Sequence, residues 1–317
     1  MSAPAGSAAR SGQGAPTDGC VAHRFASAVR LAGASLVAIG SVVLLHGLPF
    51  DWVAVLLVSG VSALVLNGQV RWRSVARFAR DFLPLVLLLV AYELSRGAAD
   101  TLGMPIRIDY PIRFDRTLFG TVPSVWLQQH LYVSDEVAVW EIPVSLVYAS
   151  HFFVVPIAAV VLWNRGRQRF RHFVVMIGAI TIGALVLFIL VPTAPPWLAA
   201  RNGSLSYITR SSGRGWSLLH IPIAERLLRH GQSSVNLVAA MPSLHAAYSL
   251  AVALFFGQRR SATTRAILLL YPCLMGFVLV LTAEHYVADV FGGWVLTGIC
   301  FAGVEWWSAR HTRVPVS

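Results

Sequence analysis

Apolar residues are grouped in long runs separated by short polar breaks. The runs cover approximately 29–47, 52–69, 82–99, 140–163, 172–191, 240–257, 266–283 and 286–307. A helix needs about 20 apolar residues to cross a hydrocarbon core of roughly 30 Å, and its backbone polar groups must be paired within it. The pattern therefore predicts an all-α fold, a polytopic membrane bundle of about eight transmembrane helices. The third run carries Glu93 and Arg96, and the seventh and eighth are parted only by a few residues around Glu284 and His285. Residues 1–28, rich in Ala, Gly, Ser and Pro without a signal-peptide-like apolar stretch, are expected to form a disordered tail. Residues 29–308 form a single transmembrane domain, and 309–317 a second tail.

One polar stretch has a different period. In PIRIDY followed by PIRFDR, Ile106, Ile108, Tyr110, Ile112 and Phe114 alternate with Arg107, Asp109, Arg113 and Asp115. Alternation is strand-like, but two prolines and the lack of a partner argue against a sheet. A segment lying in the membrane interface, with Trp126, Tyr132 and Trp140 at head-group level, is the expectation. A lid or rim over a substrate is the alternative.

Composition agrees with the runs. Hydrophobic residues make up 56% of the 317 and charged residues 12%, with a mean hydropathy of +0.66, whereas soluble domains carry roughly 25% charged residues. All 25 basic residues are Arg, and the net charge is +11. Short clusters at Arg71 to Arg80, Arg165 to Arg171 and Arg259 to Arg265, with Arg10, Arg24 and Arg30 before them and Arg310 and Arg313 after, fall in every second connection. Basic short loops mark the cytoplasmic side, so both termini are expected there, and the connections 97–139 and 192–239 on the opposite side. The charge thus reads as topology and contact with anionic lipids, with no nucleic-acid partner. The absence of Lys beside abundant Ala, Val, Gly and Arg points to a GC-rich bacterial genome, hence a bacterial cytoplasmic membrane. Cys20, Cys273 and Cys300 suggest neither a disulfide framework nor metal-ligand spacing.

The chemistry concentrates in Met241-Pro242-Ser243-Leu244-His245 and Glu284-His285-Tyr286-Val287-Ala288-Asp289, each of which opens an apolar run on the outer side. His285 and Asp289, four residues apart on a helix, share a face. The carboxylate can fix one imidazole nitrogen and leave the other free as a nucleophile, and His245 can supply the leaving group's proton. Ionisable groups at membrane depth are costly and functional by default. The alternatives are structural histidines at helix ends and a zinc site, for which no fourth ligand is spaced; no metal or other cofactor is expected.

Pro242 to His245 resembles the PSGH-type second motif of the type 2 phosphatidic acid phosphatase superfamily, and His285 to Asp289 the HxxxD core of its third. The resemblance implies a six-helix core, His285 as phosphoryl-accepting nucleophile, Asp289 as its partner, His245 as general acid and independence from metal ions. The first motif, KxxxxxxRP, is absent, and Leu279 stands where an arginine lies six residues before the third-motif His. That departure resembles the branch containing inositol phosphorylceramide and sphingomyelin synthases. Three segments resemble the inositol phosphotransferase-like members: Phe114 to Gly120 running on to Gln128, Tyr148-Ala149-Ser150-His151-Phe152, and Pro192-Thr193-Ala194-Pro195-Pro196-Trp197.

Phosphate still requires positive charge. Arg116, Arg201, Arg210 and Arg214 are the outer-side candidates, because guanidinium matches phosphate oxygens. Pro195, Pro196, Trp197 and Ser243 complete the expected substrate-binding set, and His151 either packs by a hydrogen bond or joins the site. The reading is a lipid enzyme at the extracytoplasmic face that moves a phosphorylated, inositol-phosphate-like head group between lipids. The alternatives are a phosphatase acting on diacylglycerol or prenyl (di)phosphates and a non-catalytic transporter or lipid-binding scaffold. The expected partners are the bilayer and a phospholipid or polyprenyl phosphate.

Overall fold

The computed structural model describes residues 52–66, 72–99, 104–132, 136–220 and 237–311, with the side chains of 52–54, 66, 93–99 and 311 outside the description. The expected span 29–47, the tail 1–28, the adjoining turn and residues 312–317 lie outside the described residues. Eleven helices account for most of what is described: α1 Trp52–Leu66, α2 Trp72–Ala99, α3 Asp109–Phe119, α4 Pro123–Leu131, α5 Glu141–Arg165, α6 Arg167–Leu190, α7 Pro196–Arg201, α8 Gly215–Leu218, α9 Leu244–Gly257, α10 Ala262–Leu281 and α11 Val287–His311. The chain is a polytopic helical bundle. Among the described residues, α5, α6, α10 and α11 are long and apolar enough to cross a membrane, and α1 and α9 contain shorter apolar helices.

The bundle is built around α9, which packs against α5, α6, α10 and α11. Ala246, Ala247, Ala251 and Ala253 let those neighbours approach closely, while Tyr248 and Phe255 fill the remaining space. Thr181 on α6 shares a 2.6 Å hydrogen bond with Tyr248, and Thr297 on α11 donates to the Ala247 carbonyl at 3.0 Å. Small residues and hydroxyls of this kind hold helices together where lipid removes the hydrophobic drive. Helices α1 and α2 flank α5 and α6.

Helices α9 and α11 approach closely at a glycine. A Cβ on Gly293 of α11 would sit 2.3 Å from the Ser243 carbonyl oxygen at the start of α9. Gly293→Ala is expected to push the two helices apart at a cost of about 1–3 kcal/mol, read as a lower melting temperature in detergent. An unchanged melting temperature would show that the approach is looser.

The arginine clusters gather at one end of the bundle. Arg167 pairs with Asp81 of α2, which also accepts from Trp163 Nε1 at 3.0 Å. Arg169 lies over Phe255 near the end of α9, and Glu305 of α11 meets His172 at 3.3 Å and Gln258 at 2.8 Å. The expected loop between the fourth and fifth spans is shorter than the arginines suggested. Only Gly166, at φ 154°, separates α5 from α6, so Arg167, Arg169 and Arg171 are helical. A backbone in that region favours glycine.

The opposite end holds the histidine motifs. From the level of the Thr181–Tyr248 bond, α9 rises roughly 5 Å further to His245 and α6 about 14 Å further to Leu190, at 1.5 Å per residue. The His245 end is therefore recessed by roughly 10 Å, beneath a cap formed by α3, α4, α7 and the segments 203–214 and 237–243.

The alternating segment is helical from Asp109. Pro111, Ile112 and Asp115 form its buried face, while Tyr110, Leu118 and Phe119 are exposed. This amphipathic pattern suits an interfacial helix. A partner does exist for Arg107: it bridges Thr193, which in turn bridges Ala239. Sequence alternation could not reveal that pairing, because the partners lie far along the chain.

Candidate active site

His285 sits in the turn between α10 and α11, and that turn is clamped from both sides. Helix ends leave carbonyls and amides without intrahelical partners, and away from water these must be paired. On the α10 side, Gln128 Nε2 donates to the Leu281 carbonyl at 3.0 Å, the Ser211 N–H to Thr282 at 3.2 Å and the Trp197 N–H to Ala283 at 3.2 Å. On the α11 side, the Asp115 carboxylate accepts the N–H groups of Val287 and Ala288, both at 3.1 Å. Asp289 Oδ2 accepts the Tyr286 N–H at 2.9 Å. Four segments of the cap thus converge on one short turn.

Within that clamp His285 Nδ1 lies 3.4 Å from Asp289 Oδ2, both side chains being buried. The separation is just beyond hydrogen-bond length, in the range from which catalytic contacts tighten once substrate binds. Ser243 caps α9, its hydroxyl accepting the Ala246 N–H at 3.3 Å, and its own N–H donates to the Asp289 carbonyl at 3.0 Å. The two motifs are therefore bonded to each other, and the His245 and His285 rings are 5.7 Å apart. Ser243, expected to touch substrate, is instead a fully buried cap.

His151 is drawn into the site. Its ring stacks on His245 with centroids 3.7 Å apart, and Tyr148, one turn earlier on α5, lies 5.1 Å from the same ring.

The expected arginines divide. Arg210 grips Glu284, the residue before His285, through Nε–Oε1 and Nη2–Oε2 contacts of 2.8 Å each. Ser212 adds a 2.6 Å bond to Oε1. Burial opposes the Arg210 charge, but Glu284 and the Tyr148 hydroxyl outweigh it and raise the guanidinium pKa above its ordinary value. Arg210 and Arg201 lie 5.3 and 5.4 Å from the Trp197 ring. Pro195 and Pro196 are buried, Pro196 opening α7 and so aiming the Trp197 N–H at Ala283. Arg116 is exposed on α3, and Arg214 is held by Glu141 at 2.8 Å.

Asp115, Gln128, Tyr148, Ser211 and Glu284 were not singled out from the sequence as site residues, although Asp115, Gln128 and Tyr148 stand inside family-like segments. Their signal was a polar group at a position that tertiary structure buries. Burial pushes the Asp115 carboxyl up to about 6, against the lowering effect of its two N–H bonds, and nearby Asp289 raises it further. Among the described residues no group of three or more His, Cys, Asp and Glu could hold a metal ion.

Beside the clamp, α3, α4, α10 and α11 enclose an open groove of about 320 Å³, lined by apolar residues that include Phe119, Leu127, Phe277, Val287, Val290 and Phe291.

A family model described as the PAP2 superfamily matches residues 112–303. The chain is similar to phosphoinositol dihydroceramide synthase of Bacteroides thetaiotaomicron, with 23% identity over 243 residues, 73% of this chain and 76% of that protein. No solved structure matches it significantly. The matched region runs from α3 to α11 and contains the whole histidine site with its clamp; the chain belongs to the PAP2 superfamily, whose members include lipid phosphatases and phosphotransferases.

Proposed function

We propose that the protein transfers a phosphorylated head group from a phospholipid to the hydroxyl of a second lipid, through a phosphohistidine on His285. The observation that carries this reading is the contact of His285 Nδ1 with Asp289, beside the His245 ring. With Nδ1 directed to the carboxylate, Nε2 is the nitrogen left to attack phosphorus. The bond from phosphorus to the diacylglycerol oxygen breaks, and His245 protonates that oxygen. In the second half the acceptor hydroxyl gives its proton to His245 and its oxygen attacks phosphorus, which releases His285. Arg210, tied through Glu284 and Tyr148 to the neighbourhood of both histidines, and Arg201 across Trp197 are the cations for the phosphate, with Arg116 on the outer rim. The reaction needs no metal ion.

Transfer is favoured over hydrolysis by Leu279. Its side chain is 0% exposed in an apolar cluster, so the position that carries a phosphate-binding arginine in the phosphatases has been given to the core here. The apolar groove suits acyl chains, and the dihydroceramide synthase relative, by its name, makes a phosphoinositol sphingolipid. The arginine clusters at the far end support a site at the extracytoplasmic face of a bacterial cytoplasmic membrane, and in this reading both termini lie inside and residues 29–308 act as one catalytic unit.

Purified protein in liposomes with phosphatidylinositol and a hydroxylated sphingolipid is expected to yield a new phosphodiester lipid and diacylglycerol. Vanadate should inhibit and EDTA should not. Release of inorganic phosphate from diacylglycerol or prenyl phosphates, with no transfer product, would establish a phosphatase instead. Loss of activity in EDTA restored by zinc would make the histidines ligands.

A further inference from the structure

We infer that Asp115 is a positioning residue, which holds the first turn of α11 so that Asp289 stays against His285. The inference rests on the proposed roles of His285 and Asp289. Its basis is geometric. Asp115 is 0% exposed, lies 170 residues before His285 in the chain, and spends both carboxylate oxygens on successive amides, Val287 and Ala288, between His285 and Asp289.

An ordinary helix cap needs only one oxygen, which Ser, Thr or Asn supplies without a buried charge. A carboxylate in this position is costly to ionise, as its raised pKa records, so simple capping would favour a neutral residue. Two acceptors on one planar group do more than cap. They fix the rotation of the first turn of α11 about its axis, and with it the direction in which Asp289 projects. Asp289 is itself bent back by the Tyr286 N–H and joined to α9 through its carbonyl. The first turn of α11 is thus located from α3 by Asp115 and from α9 by Ser243, and the 3.4 Å approach of Asp289 to His285 follows from that placement.

The anchor is also tied to the membrane surface. Asp115 projects from the buried face of α3, whose other face carries exposed Tyr110, Leu118 and Phe119. The interfacial helix and the nucleophile's partner are therefore one rigid connection apart.

The test compares Asp115→Ala, Asp115→Ser and His285→Ala in liposomes with phosphatidylinositol and a hydroxylated sphingolipid, with melting temperature and size-exclusion profile recorded for each. A misplacement of about 1 Å costs on the order of 10²-fold in rate. Folded Asp115→Ala is therefore expected to lose about 100-fold in kcat with KM within about twofold. Asp115→Ser, which restores one acceptor, is expected to recover about tenfold of that loss. If Asp115→Ala does not fold, the kcat deficit of folded Asp115→Ser carries the test. Wild-type kcat in either folded variant, or a loss that tracks KM or the folded fraction, would overturn the inference. An active His285→Ala would overturn the underlying reading; an inactive His285→Ala beside a fully active Asp115→Ala would overturn this inference alone.

Discussion

His285→Ala is expected to abolish turnover, with a fall of about 10⁴-fold or more, and Asp289→Asn is expected to come close to it. The first change removes the only group proposed to accept the phosphoryl unit. The second keeps the shape of the side chain but turns an acceptor into a mixed donor and acceptor beside His285 Nδ1, now 3.4 Å from Oδ2. The ring then loses the partner that selects its tautomer and stabilises its positive charge during attack. Oδ2 also accepts the Tyr286 N–H, so an amide with its oxygen there keeps that bond without the charge that balances the imidazolium, and one with its nitrogen there faces the N–H as a second donor. His245→Ala should act differently. It removes the leaving group's proton source, so a substrate with a good leaving group should lose much less activity than a natural lipid, whereas His285→Ala should silence both. Rates on an aryl phosphodiester and on phosphatidylinositol, measured side by side for the three variants, separate these roles. Equal losses for His245→Ala on both substrates would remove His245 from the acid role.

Arg210→Ala is expected to carry the largest stability cost of any single substitution in the outer cap, about 3–5 kcal/mol. The Glu284 side chain is 5% exposed and takes both of its Arg210 contacts at 2.8 Å. Removing the guanidinium leaves a buried carboxylate with the Ser212 hydroxyl as its remaining partner among these bonds. The unpaired charge, adjacent in sequence to His285, would loosen the turn that the clamp holds. Trp197 would lose one of its two cation contacts as well, Arg201 being the other. Arg210→Ala should therefore lower the melting temperature strongly, while the pair Arg210→Met with Glu284→Gln should regain most of the stability and little of the activity. A double variant as unstable as Arg210→Ala would show that the loss comes from packing and not from the stranded charge.

Much of the architecture was legible before any coordinates because membrane insertion imposes a long-wavelength signal. The runs 140–163, 172–191, 266–283 and 286–307 correspond to α5, α6, α10 and α11 within a few residues. The run 240–257 corresponds to α9, which begins at Leu244 because Ser243 caps it. The spacing of His285 and Asp289 predicts a shared helix face, whereas the structure leaves His285 in the turn before Val287, and the 3.4 Å approach comes from the way that turn enters α11. The alternation from Ile106 to Phe114 has the period of a strand but is helical from Asp109, since a short helix with a buried Pro111, Ile112 and Asp115 face can also read as apolar at every second position.

The roles of single polar residues were not legible in the same way. Arg210 and Arg116 look alike in the sequence, yet one is locked onto Glu284 and the other is exposed. His151 and His245 stand 94 residues apart and end as a stacked pair. Ser243, within a motif associated with phosphate binding, is consumed by the cap of α9.

What the sequence by itself determined was the class of molecule, the apolar runs that become the helices of the bundle, and a histidine and an aspartate only four residues apart, since hydropathy and spacing are local properties of the chain. Only the tertiary structure decided which polar groups meet around the turn at His285. The carbonyls of Leu281, Thr282 and Ala283 and the amides of Val287 and Ala288 must find partners once they leave water. The groups that satisfy them, Gln128, Ser211, Trp197 and Asp115, come from segments that only the packing of the bundle brings to one place.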